Sequence, residues 1–261
     1  MGRSLRTLEA RLLPRGAPDA LRQVLLFAAA YMGYRIVRGM IEGHIGTASW
    51  NATKLISLEH QLHFFVEPAI QAWATSTHWV IAFASFMYVN THFVMTFGAL
   101  LWLYSQRNAS FYFVRNMFMI AMGIALVAYA LYPTAPPRFM PEWGFTDSVS
   151  DFTGVSEHSG AVGALVNLYA AVPSMHVCFA LMVGWPLARL VRPRPLKVAW
   201  ALYPLLVTFV VVATGNHFIL DAVFGAFTAA VAASLSHRLL ARARPAAWAF
   251  TPAPAPAEAP A

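Results

Sequence analysis

The 261 residues are 59% hydrophobic and only 11% charged, against the ~25% charged residues usual in soluble domains, so the chain reads as one polytopic membrane domain. The net charge of +7 does not point to nucleic acid, because the basic residues lie between apolar runs, where topology determinants sit. The lone cysteine, Cys178, excludes an intrachain disulfide and a multi-cysteine metal site.

Residues 1–20, basic and containing Pro14 and Pro18, read as an N-terminal tail or a short surface helix. Residues 21–242 read as the membrane domain, which opens with the apolar run Leu21–Ile41. No small-x-small site follows that run, so no cleavable signal peptide is expected. Arg35 and Arg38 lie in it three residues apart, on one helical face. In the mixed stretch 47–76, Leu55, Leu58, Leu62 and Phe65 recur at helical spacing, with Lys54, Glu59, His60 and His63 between them. That is the pattern of an amphipathic helix lying at the membrane interface. The second run, Trp79–Tyr104, holds Asn90 and His92, which read as interhelical hydrogen-bonding groups. The third run is Phe111–Tyr132.

A long loop over 133–172 follows, opening Pro133-Thr134-Ala135-Pro136-Pro137-Arg138. Loops of that length are usually functional. The last three runs are Val172–Leu190, Val198–Thr214 and Phe218–Leu240, and residues 243–261 form an Ala/Pro-rich tail expected to be disordered. Since about 20 apolar residues cross a bilayer as a helix, the expected fold is all-α with six transmembrane helices.

Charge then orients the spans. With six of them, fourteen of the eighteen Lys and Arg fall on one side: both terminal segments, the loop with Arg107 and Arg115, and the loop with Arg189, Arg192, Arg194 and Lys197. The positive-inside rule makes that side the cytoplasm. Both termini are therefore expected inside. The loop 133–172, with Glu142, Asp147, Asp151 and Glu157, is expected outside, and the plasma membrane is the expected location.

This topology gathers polar residues at the outer mouth. Arg138 and the tetrapeptide Pro173-Ser174-Met175-His176 flank the long loop, and His217 opens the sixth run with Asp221 four residues on. Polar groups at the ends of apolar segments are costly and so point to function. On a helix Asp221 lies under His217, and a carboxylate-oriented imidazole is a nucleophile or base. Pro173 suits the first turn of a helix, whose free amides favour an anion. Ser174 adds a donor, and Arg138 a planar fork for phosphate oxygens. His176 can protonate a leaving alkoxide, and His217 can attack phosphorus.

These residues resemble the type 2 phosphatidic acid phosphatase superfamily of membrane lipid phosphatases. Its pattern is K-x6-R-P, then P-S-G-H, then S-R-x5-H-x3-D, on a six-helix core. The stretch Tyr132–Arg138 is similar to the inositolphosphotransferase branch, which includes fungal inositol phosphorylceramide synthase. The resemblance covers roughly residues 25–240. It implies phosphate binding by Arg138 and Ser174, His176 as acid, His217 as nucleophile and Asp221 as its partner. Met175 replaces the glycine of P-S-G-H, and Leu131 and Val211 stand where the pattern has Lys and Arg. Arg35 and Arg38 are candidates to supply the missing cations, or they snorkel to the surface.

The expected activity is transfer of a phosphoryl-containing group from a lipid-linked phosphate or phosphodiester, through a phosphohistidine, to water or to an alcohol such as inositol. No metal and no cofactor are expected, and the expected partners are the lipid substrate, the surrounding lipids and that alcohol. The competing readings are a transporter or scaffold with a structural His217–Asp221 pair, a metal site on His176, His217 and Asp221, and a serine hydrolase using Ser174. No G-x-S-x-G elbow supports the last of these. A transporter would show paired repeats with interrupted helices, which the sequence lacks.

Overall fold

The computed structural model describes residues 12–41, 45–153 and 169–241. Of the tail expected over 1–20, residues 1–11 lie outside the described residues, as does all of the tail over 243–261; the first helix already starts at Gly16, inside the expected N-terminal tail. The helices are α1 (Gly16–Ile41), α2 (Ile45–Gln61), α3 (Glu67–Ser76), α4 (His78–Gln106), α5 (Asn108–Leu131), α6 (Ser148–Thr153), α7 (Met175–Leu190), α8 (Arg194–Ala213) and α9 (Ile219–Leu235). Among the described residues the other regular features are an isolated bridge between Thr134 and Ala170, two 3-10 turns, and π-turns at Met87–Thr91 and Ser236–Ala241.

The four helices α4, α5, α8 and α9 (the last continued to Leu240) are long and apolar enough to cross a membrane, and α7 is a shorter apolar helix. Trp79, Leu131, Leu205 and Phe227 are each at least 67% exposed on their flanks. Large apolar side chains in that number are at home against lipid. The side chains of Leu103, Phe118, Met182, Val183 and Val211 fill the interior. Within it α7 is the hub, packed on α8, α9, α5 and α4.

The stretch 47–76 departs from the expected single interfacial helix. The chain ends α2 at Gln61, turns at His63 (φ 60°) and starts α3 at Glu67-Pro68, with proline in the first turn. The buried face of α2 is Ala48, Asn51, Ala52, Leu55, Ile56 and Glu59, while Leu58 and Leu62 are exposed. The Leu-based stripe was therefore offset, because Ala48 and Ala52 contribute to a helix–loop contact with Ala135, Met140, Phe145 and Phe218.

The ends of the long loop are stitched together. Thr134 N donates to Tyr169 O (2.9 Å) and Ala171 N to Thr134 O (3.3 Å). Ala135 N donates to Ala48 O (3.1 Å), which fastens the loop's start to α2.

Candidate active site

The turn between α8 and α9 carries His217 and is held from several directions. Gly215 has φ 67°, and a Cβ there would lie 2.5 Å from Gln71 Nε2, so only glycine fits. Gln71 of α3 in turn makes a two-way bond with Thr146, Nε2 to O at 2.9 Å and Oε1 from N at 3.0 Å. Asn216 N and His217 N both donate to Val211 O, at 2.9 and 3.1 Å. Asn216 Nδ2 donates to Thr214 Oγ1 (2.7 Å), and Ser148 Oγ to Thr214 O (3.2 Å). The backbone is thus fixed before the imidazole is placed.

The imidazole then sits in a short chain of bonds. His217 Nδ1 is 3.2 Å from Asp221 Oδ2, and His217 Nε2 is 3.4 Å from His176 Nδ1. His217 and Asp221 are both buried. Asp221 Oδ2 also accepts from Phe218 N at 2.9 Å, at the start of α9. Asp221 therefore fixes the ring and the helix start through one oxygen, and its Oδ1 is buried with no hydrogen-bond partner among the described residues.

His176 reaches His217 because α7 begins against α9. Ser174 N donates to Asp221 O (3.0 Å), and Tyr129 OH of α5 donates to Pro173 O (3.0 Å). A Cβ on Gly225 would come within 2.3 Å of Ser174 O. That approach requires a residue without a side chain. Ser174 is fully buried, and its Oγ accepts from Val177 N (3.5 Å) as the N-cap of α7.

On the far side His176 is wrapped by α4. Its ring centroid is 4.8 Å from Tyr88, 5.1 Å from His92 and 5.8 Å from Phe93. Tyr88 lies within the π-turn of α4 and His92 directly after it, and such turns gather at functional sites. His92 Nδ1 bonds Tyr203 OH of α8 at 3.0 Å. The interhelical bond read for His92 is there, and its ring also lies against His176. Asn90 makes only a local contact to Phe86 O at 3.5 Å.

Arg138 is buried in a 3-10 turn, Pro137–Phe139. Its backbone N donates to Gly215 O (2.8 Å), two residues before the nucleophile candidate. Its guanidinium lies over the Phe139 ring (4.9 Å), 3.9 Å from Asp147 Oδ1, and within electrostatic reach of His176. Arg35 is exposed on α1, and the Arg38 side chain lies outside the described residues. Val37, between them, packs with Tyr169, Ala170 and Met175 against Ala125 and Tyr129. That places this part of α1 beside the start of α7. The two positions where the family pattern has cations point elsewhere: Leu131 is 78% exposed, and Val211 is fully buried in the interior.

Four sequence-read residues, His176, His217, Asp221 and Ser174, are thus joined by backbone or side-chain contacts, and Arg138 is tied to the same turn through Gly215. Two that sequence reasoning missed are Glu59 and Glu67, both fully buried at the start of α9. The signal for Glu59 was a charge on the same helical face as Ala52, Leu55 and Ile56. Among the described residues no three His, Cys, Asp or Glu are grouped to hold a metal ion.

The model of one family, described as the PAP2 superfamily, matches residues 53–235. No curated protein and no solved structure matches the chain.

Proposed function

The chain belongs to the PAP2 superfamily, a membrane family of phosphatase-type enzymes acting on phosphorylated lipids, and from that premise we propose that it moves a phosphoryl-containing group off a lipid-linked phosphate through a phosphohistidine on His217. The observation that carries this reading is the bonded line Asp221–His217–His176. Asp221 holds the proton on Nδ1, so the lone pair is on Nε2, the nitrogen that faces His176. Nε2 attacks phosphorus, the P–O bond to the leaving group breaks, and His176 gives its proton to the departing oxygen. His176 then takes a proton from water or an alcohol, whose oxygen displaces His217. His217 Nε2 and His176 Nδ1 lie 3.4 Å apart, so His176 gives up this contact when the phosphoryl group enters.

Arg138 and Ser174 are the proposed phosphate ligands, with Arg35 and Arg38 adding charge from α1. A dianionic group in a partly dry site needs more than one cation. Arg138→Gln is expected to lower kcat/KM by about 10²–10³-fold, the usual effect of one charge-assisted contact. Arg35→Gln and Arg38→Gln are measured in the same lipid. If both keep wild-type kcat/KM they only snorkel, and a single-cation site favours a phosphodiester donor, as in the inositolphosphotransferase branch. The deciding assay is phosphate release against product mass from a panel of lipid phosphates and phosphodiesters, with and without inositol. Release of free phosphate alone makes the protein a phosphatase; a heavier product that needs the alcohol makes it a transferase.

The proposed topology has six spans, α1 and α7 joining α4, α5, α8 and α9, with the site on the outer side of the plasma membrane and both termini inside. Arg107 between α4 and α5, and Arg189, Arg192, Arg194 and Lys197 in and beside the α7–α8 loop, support this orientation. Single cysteines in a Cys178→Ser background test it on intact cells. Glu142 and Ala109 are both exposed, so Glu142→Cys should react with an impermeant thiol reagent and Ala109→Cys should not. The opposite pattern inverts the topology and brings the substrate from the inner leaflet.

A further inference from the structure

Three consecutive amides open α9, and each is closed by a carboxyl group. Phe218 N donates to Asp221 Oδ2, Ile219 N to Glu67 Oε1 and Leu220 N to Glu59 Oε1, all at 2.9 Å. The three acids come from three helices, α9, α3 and α2. The turn at His63 (φ 60°) joins α2 to α3, and Glu59 and Glu67 meet the same helix start. Both glutamates are fully buried; among the described residues no N–H or O–H donor reaches the second oxygen, Oε2, of either, and the two carboxyls lie close enough to share a proton with each other.

This is a costly way to finish a helix. A Ser, Thr or Asn at the N-cap satisfies a free amide without burying charge. Buried carboxyls are tolerated only when hydrogen bonded or neutralised. Burial pushes Glu59 up to about 9, with Glu67 and Asp221 adding to the rise and the Leu220 amide opposing it. Glu59 therefore keeps its proton near neutral pH, and the clasp carries less charge than its composition suggests.

Its location explains the expense. The clasped amides follow directly after His217, and Asp221 is the third residue of α9. Left free, those amides would draw the spare oxygen of Asp221, Oδ1, and turn the carboxylate away from His217. We propose that Glu59 and Glu67 are positioning residues for the nucleophile: by occupying the Ile219 and Leu220 amides they lock the first turn of α9 and reserve Asp221 for the His217 ring. The inference rests on the role proposed above for His217.

The clasp works by reach, and that separates it from a charge effect. Glu59→Gln and Glu67→Gln keep an acceptor oxygen at the same distance, singly or together. They should hold kcat and KM within about threefold of wild type. Glu59→Asp and Glu67→Asp keep the carboxyl group but are one methylene too short. With the imidazole displaced by a fraction of an ångström to an ångström, kcat should fall about 10- to 100-fold, with KM within about twofold. Rates are taken per folded enzyme, from thermal unfolding of each variant. A second readout needs no activity: the rate at which diethyl pyrocarbonate modifies His217, mapped by mass spectrometry, should rise at least about threefold in the Asp variants and stay at the wild-type rate in the Gln variants. Gln variants that lose as much as the Asp variants would overturn the inference. So would Asp variants with unchanged kcat per folded enzyme, or with unchanged His217 modification. A wild-type protein inactive on every lipid phosphate and phosphodiester would sink the functional reading alone, and the His217 modification pattern would still decide the clasp.

Discussion

His217→Ala is expected to lower turnover by about 10⁴-fold or more, because loss of a covalent nucleophile removes the path itself, not one contribution to it. The fold should survive the change. The turn around His217 is held by backbone bonds to Val211, Gly215 and Phe218 that do not use the imidazole. The check is kcat on the best lipid substrate beside a thermal unfolding curve, with a search of the quenched wild-type enzyme for an acid-labile phosphoryl adduct on His217. Activity within tenfold of wild type in the alanine variant would remove the phosphohistidine route.

Asp221→Asn should cost about 10³–10⁴-fold in kcat with little change in KM. An amide of the same shape no longer enforces the tautomer that leaves Nε2 free to attack. One oxygen of Asp221 serves both His217 Nδ1 and Phe218 N, so the asparagine cannot accept from the helix and donate to the ring through the same atom. Steady-state kinetics with several lipid phosphates settle it. A variant within tenfold of wild type would mean that the buried pair is only a structural link between ring and helix.

The contrast between what the sequence discloses and what it hides follows from range. His217 and Asp221 are four residues apart, so one helical turn fixes their relation and spacing alone finds them. Ser174 and His176 are legible for the same local reason, and Arg138 because a proline-rich turn must present it. The boundaries of the apolar runs track the helices, although the π-turn in α4 has no composition to announce it. Glu59 and Glu67 escaped because their partners, Leu220 and Ile219, lie 161 and 152 residues away. In a mixed stretch near the membrane surface an acid reads as solvated. Only the buried face of α2, built on small alanines and not on leucines, shows that Glu59 points inward. The His92 contact with His176 was hidden likewise, since nothing local pairs α4 with the start of α7.

The shortness of α7 bears on how a lipid gets in. Its 16 residues extend about 24 Å, against a hydrocarbon layer of about 30 Å. As a span it leaves a hydrophobic mismatch, which a bilayer relieves by thinning locally. His176 is the second residue of that helix, so the deficit falls where the chemistry is proposed. A phosphate headgroup next to α7 then rides lower than its neighbours across the leaflet. The substrate would slide in sideways from a dimple in the membrane, with its acyl chains never leaving the oil.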